Sequence, residues 1–264
     1  MGGAGQARVT RRTTPAAASG QDTGAEPRVR VGCCGFPVGR ERYARVFRLV
    51  EVQQTFYQVP ARALLQRWRE QLPPPFEFTL KAWQLITHDA TSPTYRRLRE
   101  PLSRKALRQC GSFRPTDEVH RAWERTREAA HILQARVVVF QCPSSFRPTD
   151  ENLRHLRLFF GRVQRDDLRL AWEPRGAWEL ELIRELCVEL DLVHVVDPLV
   201  HPPVAGSFRY YRLHGLGGYR YRYTEADLDR LAALCGGRES VYVLFNNVHM
   251  WEDAQRFLKR LGGA

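Results

Sequence analysis

The stretch Leu49-Val50-Glu51-Val52-Gln53-Gln54-Thr55-Phe56-Tyr57-Gln58-Val59-Pro60 opens as a strand, extended from Leu49 to Gln54, with a carboxylate inside it. Side chains alternate along a strand, so Val50 and Val52 share one face and Glu51, Gln53 and Thr55 the other. A carboxylate on a buried face must find a partner or meet water. Two architectures meet that need. Either the polar face lines a cavity and forms the wall of a site, or it is the wet side of a surface sheet.

Outward from this stretch the chain alternates between strand and helix patterns. Arg28 to Cys34 reads as strand one, Gly35-Phe36-Pro37 as its exit loop and Arg40 to Arg48 as a short helix. After strand two, Leu64, Leu65, Trp68 and Leu72 recur at helical spacing in Ala61 to Leu72, which Pro73-Pro74-Pro75 ends. Phe76 to Lys81 is strand three. A long insertion, Ala82 to Arg136, follows; its second half, Thr116 to Gln134, is a helix capped by Thr116 with Asp117 and Glu118 in the first turn. Long insertions at the carboxyl end of a strand are where lids and substrate loops sit, and this one carries Arg96, Arg97, Arg99, Arg104 and Lys105.

Strands four to eight are expected at Val137 to Gln141, Leu168 to Glu173, Leu192 to Asp197, Phe208 to His214 and Ser240 to Asn246. Helices are expected at Glu151 to Val163, Trp178 to Leu190, Glu225 to Cys235 and Trp251 to Leu261. Pro198 to Ser207 holds three prolines and no helical pattern. The sum is an α/β fold, an irregular TIM-type (β/α)8 barrel over residues 29–264, with the long insertion after strand three and no helix between strands six and seven.

The chain has 264 residues, 43% of them hydrophobic, enough for a sizeable core. It has no apolar run of about 20 residues and no secretory h-region, so a cytoplasmic protein without membrane contact is expected. The sequence sets no oligomeric state. Residues 1–28, rich in Gly, Ala, Thr and Arg, are expected to be a disordered basic tail of charge +2. The remaining +10 of the net +12 lies on the body and favours an anionic substrate, nucleic acid among the candidates. Six cysteines without a CxxC pair read as buried free thiols, with Cys33-Cys34 at a strand end as the exception to watch. Only Lys81, Lys105 and Lys259 among 41 basic residues are lysines, which draws attention to Lys81 at a strand end.

One heptapeptide occurs twice, Ser-Phe-Arg-Pro-Thr-Asp-Glu at Ser112 to Glu118 and Ser145 to Glu151, each before a helix. A shared cap sequence suffices to explain it; a repeated ligand loop is the other reading.

A barrel of this type places its site at the carboxyl ends of the strands. The polar residues there are Glu51, Gln53 and Thr55, then Lys81, Gln141, Glu173, Arg175, Asp197, Arg212, His214, Asn246 and Asn247. Glu51, Lys81, Glu173 and His214 are the catalytic candidates. Gln53, Tyr57, His88, Gln141, Arg175, Trp178, Arg212, Tyr219, Asn246 and Asn247 are candidates for substrate binding. Glu51, Glu173, Asp197 and His214 could hold a divalent metal, Mg or Mn, although no compact ligand motif occurs; an internal salt-bridge network is the alternative. Gly215-Leu216-Gly217-Gly218-Tyr219-Arg220-Tyr221-Arg222-Tyr223 alternates rings and cations, as base stacking and phosphate contact require, or as a structural loop with snorkelling arginines would.

Eight motifs in order carry a resemblance. They are Val31-Gly32 through Gly35; Val50-Glu51 with Thr55-Phe56-Tyr57 and Pro60; Phe76-Glu77-Phe78 with Lys81; and Ile86-Thr87-His88. Phe140-Gln141 with Pro143, Trp172-Glu173 with Arg175, Arg212-Leu213-His214-Gly215 and Phe245-Asn246-Asn247 complete the set. Together they resemble the YecE-like family, domain of unknown function 72, from about residue 29 onward. The resemblance implies a TIM barrel related in general shape to xylose-isomerase-like and abasic-endonuclease-like barrels, without a settled reaction. Gln53-Gln54 stands where the commoner pattern has Asn-Ser, which marks a separate branch.

The leading expectation is an enzyme acting on a phosphate ester, a nuclease or phosphodiesterase with its site at the carboxyl-terminal mouth. Alternatives are a sugar or sugar-phosphate isomerase or lyase, with Tyr57, Trp83 and Trp178 as a platform, and a non-catalytic barrel that binds nucleic acid or protein.

Overall fold

A computed structural model describes residues 1–2 and 28–262. The tail expected at residues 1–28 therefore lies, apart from residues 1, 2 and 28, outside the described residues. Eight parallel strands close into a barrel in sequence order: β1 Val29–Cys34, β2 Leu49–Val52, β3 Glu77–Lys81, β4 Val137–Gln141, β5 Arg169–Glu173, β6 Val193–Val196, β7 Arg209–Leu213 and β8 Val241–Phe245. Closure is made by β1 on β8, with Val29 beside Val241 and Cys33 beside Phe245. Among the described residues no sheet edge is left unpaired, which removes the surface-sheet reading of Glu51.

Alternation sorts each strand's residues between the barrel interior and the helical layer. Leu49, Val137, Val139, Ala171, Tyr210 and Leu244 form an inner apolar cluster, whereas Val50, Val52, Phe78, Phe140, Trp172 and Leu213 join the larger core beneath the helices. Glu51 lies two residues from Leu49 and faces the same interior. At the amino-terminal end of the barrel Arg30 meets Glu77 at 3.2 Å. Above them Tyr210 and Tyr242 stack at 5.6 Å.

Two expectations change. The extended run stops at Val52, because Gln53 adopts αR angles and Gln54–Tyr57 forms one helical turn. Thr55 consequently leaves the face of Glu51 and bonds the carbonyls of Val52 at 3.0 Å and Lys81 at 2.7 Å. The insertion after β3 is also more structured than a lid. It holds a turn at Gln84–Thr87, a 3-10 turn at Pro93–Arg97 and a helix at Arg104–Gln109 before the crossover helix Asp117–Leu133.

The duplicated heptapeptide is structural. Thr116 caps the helix Asp117–Leu133 and Thr149 caps the helix Asp150–Arg162, while Phe113 and Phe146 of the two copies pack with centroids 5.4 Å apart. Between β6 and β7 the described chain has no helix. There the irregular segment covers His194, whose Nδ1 accepts from the Val204 amide at 3.3 Å.

Candidate active site

Arg212 on β7 organises the carboxyl-terminal mouth. Its guanidinium, wholly buried, donates to Glu51 Oε1 at 2.9 Å, to Gln141 Oε1 at 2.9 Å and to Glu173 Oε2. Burial opposes its charge, but the carboxylates of Glu173 and Glu51 outweigh that and raise its pKa. Glu51 also accepts from Gln53 Nε2 and, at 2.9 Å, from the Tyr210 hydroxyl. Tyr210 in turn accepts from Thr79 at 2.7 Å. This floor of the site is fully hydrogen-bonded at both carboxylates.

Glu173 joins the floor to the opening. Its Oε1 accepts from Arg175 at 2.7 Å and lies 3.1 Å from His214 Nε2. Burial would push this carboxyl up, yet Arg212, His214 and Arg175 hold it well below the usual range, so it is an anion at neutral pH. Burial depresses His214, which stays neutral. Asn246 Nδ2 is 3.1 Å from His214 Nδ1, and Arg175 Nη2 is 2.6 Å from Nε2. An Asn246 amide donating to Nδ1 puts the ring proton on Nε2, facing Glu173. The flipped amide accepts from Nδ1 and leaves Nε2 to receive Arg175, so the orientation of Asn246 selects the tautomer. The side chains of His214 and Arg175 are 26% and 36% exposed, which makes them the part of this cluster a ligand reaches first.

Lys81 ends β3 on the interior face and is 7% exposed. Its Nζ stands 3.6 Å from the centroid of Phe56. Burial, helped by the Arg212 charge and opposed by Glu173 and Glu51, lowers its pKa to about 7. His88 packs edge to face with this aromatic at 4.9 Å, its Nδ1 2.8 Å from the Thr87 hydroxyl. Burial and the Lys81 charge push it down to about 3.

Tyr57, next to Phe56 in the chain, is part of the lining of a groove of about 880 Å³, with Leu64, Trp68, Arg96, Arg97, Arg99 and Arg125. Arg97 lies 3.5 Å over the Tyr57 ring, and Arg125 pairs with Glu100. Among the described residues the Arg96 and Arg99 guanidinium groups have no ion pair or hydrogen bond. The groove presents unneutralised positive charge beside an aromatic ring.

The structure thus brings together Glu51, Gln53, Gln141, Glu173, Arg175, Arg212, His214 and Asn246 by direct contact, with Lys81 and His88 joined through Phe56. Three expected binding residues lie outside this contact cluster. Trp178 is buried against Trp172 at 5.0 Å and donates to the Phe146 carbonyl at 2.9 Å, which fixes it in the helical layer. Asn247 is buried and donates to the Tyr221 carbonyl and Asp253, so it serves the loop behind the mouth. Tyr219 is 57% exposed on the rim. The other two rings of the ring-and-cation run are held by the loop, while Arg220 and Arg222 stay exposed: Tyr223 accepts from the Gly215 amide at 2.8 Å and Tyr221 donates to Asp227 at 2.7 Å. These bonds give two of its three rings a structural role. Gly215 is required in it, since its φ is +90° and a Cβ would lie 2.3 Å from the Gly218 carbonyl.

The four residues expected to hold Mg or Mn do not fit a divalent ion. A guanidinium already stands between Glu51 and Glu173. Asp197, its pKa raised by burial, turns to the amides of Leu199 at 3.1 Å and His214 at 3.3 Å. Among the described residues no group of three or more His, Cys, Asp or Glu could hold a metal ion. Tyr210 and Thr79 are the site residues the sequence reading passed over. The signal was present, because Tyr210 stands two residues before Arg212 on one face.

These features define a TIM barrel with a charged carboxyl-terminal mouth. The family model described as Protein of unknown function DUF72 matches residues 39–264, and the chain belongs to that family. A DUF72 family protein (EF0366) from Enterococcus faecalis V583 superposes with a TM-score of 0.69 at 22% identity over 89% of this chain and 97% of that one. A xylose isomerase domain containing protein from Salmonella typhimurium LT2 gives 0.57 at 13% identity over 90% and 97%. An AP endonuclease, family 2, from Brucella melitensis gives 0.53 at 12% over 90% and 99%. At these identities the likeness is one of fold. No curated protein matches the chain in sequence. Among the described residues no helix is long and apolar enough to cross a membrane.

Proposed function

We propose that this protein is an enzyme acting on a phosphate ester, a nuclease or phosphodiesterase, with its site at the carboxyl-terminal mouth of the barrel. One observation carries the reading: an anionic Glu173 and a neutral His214 lie side by side where Arg175 leaves part of its charge facing the opening. A neutral imidazole can take a proton from an attacking water, and the adjacent carboxylate stabilises the imidazolium that results. Arg175 Nη1, which makes no hydrogen bond among the described residues, offers a phosphoryl oxygen a charged donor, while Nε and Nη2 stay on Glu173. The arginine-lined groove supports a substrate that continues beyond the scissile group, as a polynucleotide does.

The test is incubation of the purified protein with labelled single- and double-stranded DNA and RNA, with EDTA, Mg or Mn. Cleavage is expected, with kcat falling about 10²–10⁴-fold in Glu173→Gln and in His214→Ala. Cleavage unchanged by both substitutions rejects the assignment. A second reading, a sugar-phosphate isomerase or lyase, is favoured by the environment of Lys81.

A further inference from the structure

The Lys81 ammonium is more than nine-tenths buried and, among the described residues, makes no hydrogen bond and no ion pair; its contact is the face of Phe56. The two carboxylates of the barrel floor make no ion pair with it and are turned to Arg212, which binds both. A buried ammonium with no acceptor is costly and is relieved by loss of its proton. The position is not an accident of packing. Lys81 ends β3 on the interior face, at the same end of the barrel as Glu173 and His214. Arginine, which this chain uses almost everywhere else for positive charge, cannot shed its proton in a protein.

We propose that Lys81 is a nucleophilic amine that captures the aldehyde or ketone carbon of a phosphorylated substrate as an imine. The free amine adds to the carbonyl carbon, forming the C–N bond, and the carbonyl oxygen takes up a proton to give a carbinolamine. Loss of that oxygen as water, with the remaining amine proton retained on nitrogen, gives the protonated imine. No oxidant or reductant enters. The His214–Glu173 pair at the same mouth can carry the proton to and from the oxygen, and the iminium withdraws electrons from the neighbouring carbon, as lyase or isomerase chemistry requires. Imine formation stands without the phosphate-ester reading; only the phosphate on the substrate rests on it. The carbonyl could belong to a free sugar phosphate or to the open-chain sugar of an abasic nucleotide.

The test is reductive trapping on the full chain. The protein is incubated at pH 7 with sodium cyanoborohydride and, separately, glyceraldehyde, glyceraldehyde 3-phosphate or an oligonucleotide bearing one abasic site, and the adduct is located by peptide mass spectrometry. An ordinary lysine, with a pKa near ~10.4, holds less than about one free amine in a thousand at pH 7. The lowered pKa of Lys81 should make its labelling at least about tenfold faster than that of Lys105 or Lys259. Lys81→Met, which removes the amine at similar length, should lose this adduct while its circular dichroism stays that of the parent and its melting temperature at pH 7 does not fall. Labelling confined to Lys105, Lys259 or the amino terminus, or equal at all three lysines, overturns the proposal, as does no labelling by any probe. Labelling of Lys81 by glyceraldehyde no slower than by its phosphate overturns the phosphorylated-substrate part alone. Which of the two phosphorylated probes reacts faster assigns the source of the carbonyl. Phosphodiester cleavage, measured in parallel without reductant, fails or survives independently of the adduct.

Discussion

Arg212 Nη2 lies 2.9 Å from Glu51 Oε1, between strands β7 and β2, with both side chains completely buried. The same guanidinium meets Glu173, so one cation is shared by two carboxylates in a space closed to water. Removing one member of such a set leaves charge uncompensated, which costs more than the intact set contributes.

Arg212→Met is therefore expected to destabilise the fold by about 3–5 kcal/mol, read from urea unfolding at pH 7. Adding Glu51→Gln should restore part of the loss, because only Glu173 then remains, with Arg175 and His214 still beside it. A double variant as unstable as the sum of its parts would show that Glu51 and Arg212 are not coupled.

Lys81 makes stability depend on pH in a defined direction. Its pKa falls from 10.5 to about 7 on folding, so between those values the unfolded chain binds the extra proton and stability rises with pH. The full cost is present below pH 7 and gone above 10.5. Lys81→Met should accordingly be more stable than the parent at pH 7, by a few kcal/mol, with the difference shrinking towards pH 9. Urea midpoints of the two proteins at both pH values measure it; a difference that does not change with pH contradicts the shift.

The groove predicts a salt effect. If Arg96 and Arg99 each meet one phosphate of a single strand, replacing both with Ser should reduce the slope of log affinity against log salt by about 1.4. Fluorescence anisotropy with a labelled single-stranded oligonucleotide at several salt concentrations reads this directly. An unchanged slope places the strand elsewhere.

All six cysteines are free and buried. Burial raises each thiol pKa, to about 12 for Cys33, Cys187 and Cys235 and to about 11 for Cys110. Native protein should leave a disulfide reagent uncoloured at pH 8, and six thiols should react once urea unfolds the chain. Prompt reaction of Cys33 or Cys34 in the native state would mark that strand end as open.

Much of the architecture was legible in the chain. The alternation of apolar runs and helical spacing placed eight strands, Thr116 announced its helix and the three prolines of Pro198 to Ser207 announced the missing one. Strand two was read two residues too long, because Gln53 and Gln54 have no local breaker. What bends the chain there is the pair of hydrogen bonds that Thr55 makes to Val52 and Lys81, and the second of these comes from another strand. The surroundings of Trp178 and Asn247 are illegible for a similar reason. A ring or an amide near a strand end has the same composition whether it faces the mouth or the helical layer, and only their partners, Phe146 and Asp253, separate the two.

By itself the sequence determined that the chain closes into a barrel and that Glu51, Lys81, Glu173, Arg212 and His214 stand at strand ends on one side, since both follow from periodicity along the backbone. Tertiary structure alone decided what those groups are chemically. Whether Glu173 is charged, Lys81 has an acceptor or two carboxylates await a metal depends on which side chains from other strands fill the remaining space. Here Arg212 fills it, bridging the two acids and leaving the lysine, among the described residues, with the Phe56 ring and no hydrogen-bond or ion-pair partner. Contacts across some 160 residues of chain carry no local signature, because charge interactions act through space rather than along the sequence.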